Sequence, residues 1–181
     1  AAARDSDEAR GREADLKQPG HYEWRWDGSD RLTIGLPANV RYTPEGAPRI
    51  VITGPDELLS HVRLDKGQIG IREDNWRYKG DRAQVTITGI TVREITLAGS
   101  GRVALEKLNQ ERLRLTVAGS GALTGAGRVD RLDVTVAGSG SSDLSQLAVR
   151  RADIDIAGSG HVRLTPRDEA NLSVAGSGLV R

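Results

Sequence analysis

The chain has 181 residues, with 26 Lys and Arg against 25 Asp and Glu and no cysteine. That length suits one domain with a real core. The near-neutral charge offers no electrostatic footprint for nucleic acid, the absence of thiols removes disulfides and cysteine chemistry, and no apolar run approaches the roughly 18 residues of a transmembrane helix.

Residues 1–20 are dense in charge (Arg4, Asp5, Asp7, Glu8, Arg10, Arg12, Glu13, Asp15), and Leu16 is their only large aliphatic residue. Such a run cannot offset its ordering entropy by burial, so it is predicted to be a flexible charged linker. The start at Ala-Ala-Ala, without methionine, fits a removed leader.

Residues 21–92 are expected to form a diverged N-terminal β part of the same fold as the rest. Tyr22, Trp24 and Trp26 alternate with His21, Glu23 and Arg25, which puts three aromatics on one strand face. Their simplest role is to cover the end of an aliphatic stack; stacking on a sugar is the functional alternative. Turn residues at Asp27–Asp30 and Thr43–Pro48 bracket the apolar pairs Leu32/Ile34 and Ile50/Ile52. Ile34, Ile52 and Ile71 are spaced by 18 and 19 residues, which predicts successive coils. Pro55-Asp56-Glu57 opens a short helical turn through Leu58 and Leu59, after which Val62 and Leu64 return to strand. The polar stretch 72–82 carries Trp76 and Tyr78 and is predicted to protrude; packing of these rings back onto the strands is the simpler reading, and the functional one makes Trp76 a candidate contact residue.

Residues 93–181 carry the dominant pattern. Ala-Gly-Ser-Gly begins at Ala98, Ala118, Ala137, Ala157 and Ala175, giving steps of 20, 19, 20 and 18 residues. Just before each alanine stand Leu97, Val117, Val136, Ile156 and Val174, and two residues earlier Ile95, Leu115, Val134, Ile154 and Leu172. Period-two alternation running into a small-residue bend is a strand meeting a corner. Repetition at this pitch is too short for a strand-plus-helix unit and predicts an all-β fold, a β-solenoid of the single-stranded parallel β-helix type with 18–20-residue coils. Equivalent residues then stack about 4.8 Å apart in inward ladders. A third ladder is Val103, Leu123, Val162 and Val180, with Ser142 as the odd member.

The repeated Val-Ala-Gly-Ser-Gly unit resembles the bacterial head GIN domain family, to which an autotransporter-adhesin role is ascribed. The resemblance extends through Trp24–Gly28, Leu32–Ile34 with Pro37, and Val51–Pro55, and covers about residues 22–181. It implies a β-rich stacked-strand solenoid, export, and an adhesin-like role, with no shared catalytic residues and no ligand to carry over.

Most chemical readings of the motifs fail on spacing. No Gly-Ser-Gly copy completes a dinucleotide fingerprint, and serines with glycine on both sides do not make a nucleophile elbow. Calcium-binding repeats need an aspartate per turn, and only Asp143 follows a copy closely. His21, His61 and His161 lack metal-site spacing. No catalytic residue, cofactor site or metal ligand is therefore assigned.

The charged columns are more informative. Arg112, Arg131 and Arg151 occupy one position in three successive coils, and two places on runs the column Glu94, Arg114, Asp133, Asp153, Asn171. Stacked guanidiniums need carboxylates or an anion among them. Interleaving by Glu111, Asp133 and Asp153 is the simpler reading, and docking of an anionic glycan or lipid the functional one. Arg112, Arg131, Arg151, Asp133 and Asp153, with Trp24, Trp26 and Trp76, are thus the candidate ligand-binding residues. The resulting expectation is a non-enzymatic, exported binding or scaffolding domain of the periplasm or cell surface, partnered by a glycan or envelope component. A carbohydrate-active β-helix enzyme using the acidic and arginine groove is the alternative. Leu172, Val174 and Val180 would face an open rung, which predicts a homo-oligomer through the solenoid ends.

Overall fold

The structure is a computed structural model that describes residues 14–26, 28, 30–35, 38–65, 67–71 and 83–180. Trp76 and Tyr78, with the loop assigned to them, lie outside the described residues. In chain order the elements are β1 (Leu16–Gln18), β2 (His21–Arg25), β3 (Arg31–Ile34), β4 (Ala38–Thr43), β5 (Arg49–Thr53) and one helical turn, α1 (Asp56–Leu59). They continue with β6 (Val62–Asp65), β7 (Gln68–Ile71), β8 (Ala83–Thr88), β9 (Glu94–Gly99), β10 (Arg102–Gly119), β11 (Ala122–Gly138), β12 (Ser141–Gly158), β13 (His161–Arg163), β14 (Pro166–Gly176) and β15 (Leu179–Val180). The fold is a β-solenoid of about four turns.

β10, β11 and β12 each trace a coil, and neighbouring coils are parallel and in register apart from one irregularity each, between Leu105 and Leu108 and between Thr124 and Ala126. Within β12, burial alternates along the strand and resets at pairs of consecutive outward residues, Ser145-Gln146 and Arg150-Arg151. Those pairs are corners, because a strand that turns must present two side chains in a row to its convex side. At the third corner the backbone turns through the glycines. Gly138 has φ +112°, and a Cβ there would stand 2.7 Å from the Gly119 carbonyl oxygen of the coil beneath. Gly140 is hemmed in instead: a Cβ would meet Val117 Cγ1 at 2.7 Å and the Gly121 oxygen at 2.8 Å. Both glycines are required because coils approach backbone to backbone at this corner, and the serine between them is exposed.

The inward ladders extend upstream of the regular repeats. One column runs Leu32, Ile95, Leu115, Val134, Ile154, Leu172, and the next Ile69, Ile34, Leu97, Val117, Val136, Ile156, Val174. The third begins at Val85 and Val40 and proceeds through Val103, Leu123, Ser142, Val162 and Val180. Ser142 is 2 % exposed, and its Oγ has no hydrogen-bond partner.

Spatial order departs from chain order in the N-terminal part. β3 and β4 stack directly on β9 and β10, while β7 and β8 lie one layer further out. The spacing of Ile34, Ile52 and Ile71 therefore does not mark successive coils. Ile34 stacks on Ile69, whereas Ile52 belongs to β5, which runs antiparallel to β8 and β2. The chain returns from the outer layer at Ile90–Val92, where buried Tyr42 Oη donates to the Ile90 oxygen at 2.7 Å and accepts from the Val92 nitrogen at 3.3 Å. Antiparallel strands then cover the outer end: β5, β2 and β1 beyond β8, and β6 beyond β7. The participation of β1 brings the paired chain back into the stretch expected to be a charged linker. Leu16–Gln18 pairs with β2 through backbone hydrogen bonds, which need no apolar side chain, and Ala14 packs on the core.

Candidate ligand cleft

Arg112, Arg131 and Arg151 each take the second place of an outward corner pair, after Glu111, Asp130 and Arg150. All three arginines are exposed, and the register sets them directly opposite one another, with Glu169 continuing the column. One inward residue further (Leu132, Ala152) the strand presents its next outward side chains, and the second column is Glu94, Arg114, Asp133, Asp153, Asn171, as the repeat alignment requires. The two columns wall a cleft of about 250 Å³, floored by Leu132 and Ala152. Adjoining hollows share Arg112 on one side, with Arg93 and Gln110, and Arg131 and Arg151 on the other, with Glu111 and Asp130. The hollow at Arg93 carries the cleft on to the preceding coil across Arg112, while the hollow at Asp130 flanks the arginine row at the level of the same coils.

The acidic column is tightly organised. Partial burial raises the Asp133 carboxyl above the ordinary aspartate range, and the charge of the neighbouring Asp153 raises it further. Arg114 and Arg131 pull the other way through space. Asp153 Oδ1 also accepts a hydrogen bond from Asn171 Nδ2 at 2.8 Å, which fixes its carboxylate plane.

The arginine column is looser. Arg151 Nε stands 4.0 Å from Glu169 Oε2, a weak exposed pair. Among the described residues, neither Arg112 nor Arg131 makes a side-chain hydrogen bond or an ion pair. Glu111 and Asp133 line the same hollows without bonding to them. The expected interleaving thus operates only through space and leaves two guanidinium forks with unused donors.

The aromatic candidates are elsewhere. Trp24 is 1 % exposed and packs 6.2 Å, centroid to centroid, from Tyr22 at a tilt of 45°. That burial corrects its reading as a sugar platform: the ring covers the core at the antiparallel end. Trp26 is partly buried and lines a separate hollow with Asp15, Arg25 and Pro48, which shares no residue with the arginine cleft. Two participants escaped the sequence reading. Arg93 stands at the very start of the regular repeats, one residue before the Glu94 column, and Glu169 follows Arg151 at the 18-residue step of the last repeat but breaks the run of positive charge.

Residues 30–181 match the family model described as "Putative auto-transporter adhesin, head GIN domain". Two solved structures share the fold. A "putative adhesin" from Bacteroides fragilis is 17 % identical, with a TM-score of 0.64 over 91 % of this chain and 97 % of its own. A "Putative lipid binding protein" from Parabacteroides distasonis is 16 % identical, with a TM-score of 0.57 over 93 % of this chain and 98 % of its own. No curated protein matches the chain.

Proposed function

Because this chain belongs to the head GIN domain family, we propose that it is a non-enzymatic, exported binding or scaffolding domain of the bacterial envelope, with the arginine–aspartate cleft as its ligand surface. The observation that carries this reading is the row of in-register arginines, two of them without a bonded partner among the described residues. A coil needs no such row for stability, since exposed like charges directly opposite one another are unfavourable. The family's description points to adhesion. Among the described residues no helix is long and apolar enough to cross a membrane.

The alternative, a carbohydrate-active enzyme, needs two carboxyl groups flanking a scissile bond. Asp133 and Asp153 are direct neighbours on adjacent strands of one wall of the cleft, not on two sides of it, which favours holding a ligand over cleaving it. Binding of the purified chain to a glycan panel and to lipid vesicles tests the proposal; vesicles belong in it because of the name carried by the Parabacteroides structure. At least one ligand is expected to lose binding on Arg131→Gln with the fold intact. Binding insensitive to that substitution, or turnover of any glycan abolished by Asp153→Asn, overturns it.

A further inference from the structure

The cleft combines two rows with opposite requirements. Arg112, Arg131 and Arg151 present planar donor forks suited to carboxylate or phosphate. Asp133 and Asp153 stand two residues further along their strands, roughly 6.6 Å away. When ionised they accept hydrogen bonds and donate none. A polymer of bare anions satisfies the first row and is repelled by the second. A neutral sugar chain satisfies the second and leaves the guanidiniums without a counter-charge. A ligand carrying both carboxylates and hydroxyl groups satisfies both. The sites also repeat: successive coils place equivalent side chains about 4.8 Å apart, comparable to the length of one pyranose ring, and the cleft continues along the coil axis past Arg112 into the hollow at Arg93.

Building on the reading of this cleft as the ligand surface, we infer that its ligand is an acidic polysaccharide of the uronic-acid class. The polymer lies along the solenoid axis, with carboxylates on the forks of Arg112, Arg131 and Arg151 and hydroxyl groups donating to Asp133 and Asp153. Asn171 belongs to the recognition as a positioning residue: its amide holds Asp153 Oδ1 at 2.8 Å and leaves the other carboxylate oxygen for the sugar. A sugar hydroxyl between Asp133 and Asp153 relieves their mutual repulsion, which gives the aspartate row a function that a purely electrostatic site lacks.

The test is calorimetric titration of the full chain with oligogalacturonates of increasing length, a neutral oligosaccharide of matched length, and inorganic polyphosphate. Oligogalacturonate affinity is expected to rise with length until the oligomer spans the arginine row and then to level off. Arg131→Gln is expected to weaken it by roughly tenfold. The deciding variant is Asp133→Asn. It should weaken oligogalacturonate binding, because the better acceptor is lost, and strengthen polyphosphate binding, because a repelling charge is lost. Tighter oligogalacturonate binding by Asp133→Asn, or equal affinity for the neutral oligosaccharide, overturns the inference, as does failure of the folded chain to bind oligogalacturonate. If anionic vesicles or another ligand bind in an Arg131-dependent way while oligogalacturonates do not, the ligand class is wrong and the cleft reading stands. If nothing depends on Arg131, both fall. Arg41→Gln, on another side of the coil and paired with Glu106, serves as a charge-matched control.

Discussion

At the scale of single residues, Asp133 is the most informative side chain. Its carboxyl is raised first by burial and then by Asp153, so the folded chain holds this proton more tightly than the unfolded chain. A raised aspartate destabilises the fold at pH values above its folded pKa, and that cost disappears as the pH falls through the folded pKa towards the ordinary value of 3.8. Asp133→Asn is therefore expected to raise the melting temperature slightly near neutrality, with the advantage vanishing in acid. Parallel melting curves from neutral pH to below the ordinary aspartate pKa check this; an advantage that grows in acid contradicts the assignment. Asp143 has the opposite sign, because bonds from the Ser145 hydroxyl and backbone N–H lower its pKa. Its contribution is present above the ordinary aspartate value and is lost as the pH falls through the lowered one. Asp133→Asn and Asp143→Asn are thus expected to differ in sign near neutrality, since only the first gains from neutralisation.

At the scale of one strand, the phase of alternation decides what a substitution does. Val136 is buried between Val117 and Ile156, whereas Thr135 is outward and opposite Asp155. Val136→Asp buries an unpaired charge inside a dry ladder, where nothing else is polar within its column, and is expected to cost about 4 kcal/mol or more. Thr135→Asp adds a like charge beside Asp155 on the surface, and its cost is expected to be about 1 kcal/mol. Urea denaturation of both variants measures the difference, and equal losses refute the strand phase. The corner glycines act at the same scale. A Cβ at Gly138 meets the backbone of the coil beneath, so each Ala-Gly-Ser-Gly bend also sets how closely two coils stack.

At the scale of the molecule, the two ends of the strand path differ. Antiparallel strands and buried Trp24 cover the core beyond β7 and β8. On β14, Leu172 and Val174 are 55 % and 43 % exposed, although their equivalents Ile154 and Ile156 in the preceding coil are buried. Among the described residues β14 pairs with β12 alone, and unpaired backbone with apolar side chains on one rung favours pairing with a further strand. We propose that residues 1–181 on their own self-associate through this rung, and that Val174→Lys shifts them towards monomer. Light scattering over a concentration series tests this, with a strictly monomeric wild type as the contrary result.

The sequence alone determined the coil pitch, the inward columns through Val136 and its equivalents, and the outward columns of Arg131 and Asp133. In a parallel stack, residues aligned by the repeat become direct neighbours, so aligning the copies amounts to reading the contacts. The Gly-Ser-Gly bends were legible for the same reason, each repeating the local demand of its neighbour. Only the tertiary structure decided that β3 and β4 stack inside β7 and β8, that Ile52 pairs antiparallel, and that Trp24 is buried. Those pairings close long loops without a repeat, and nothing local distinguishes one partner strand from another. The loose arginines and the coupled Asp133–Asp153 pair were likewise beyond sequence, because a column specifies which side chains are neighbours, while rotamer and burial specify which of them bond.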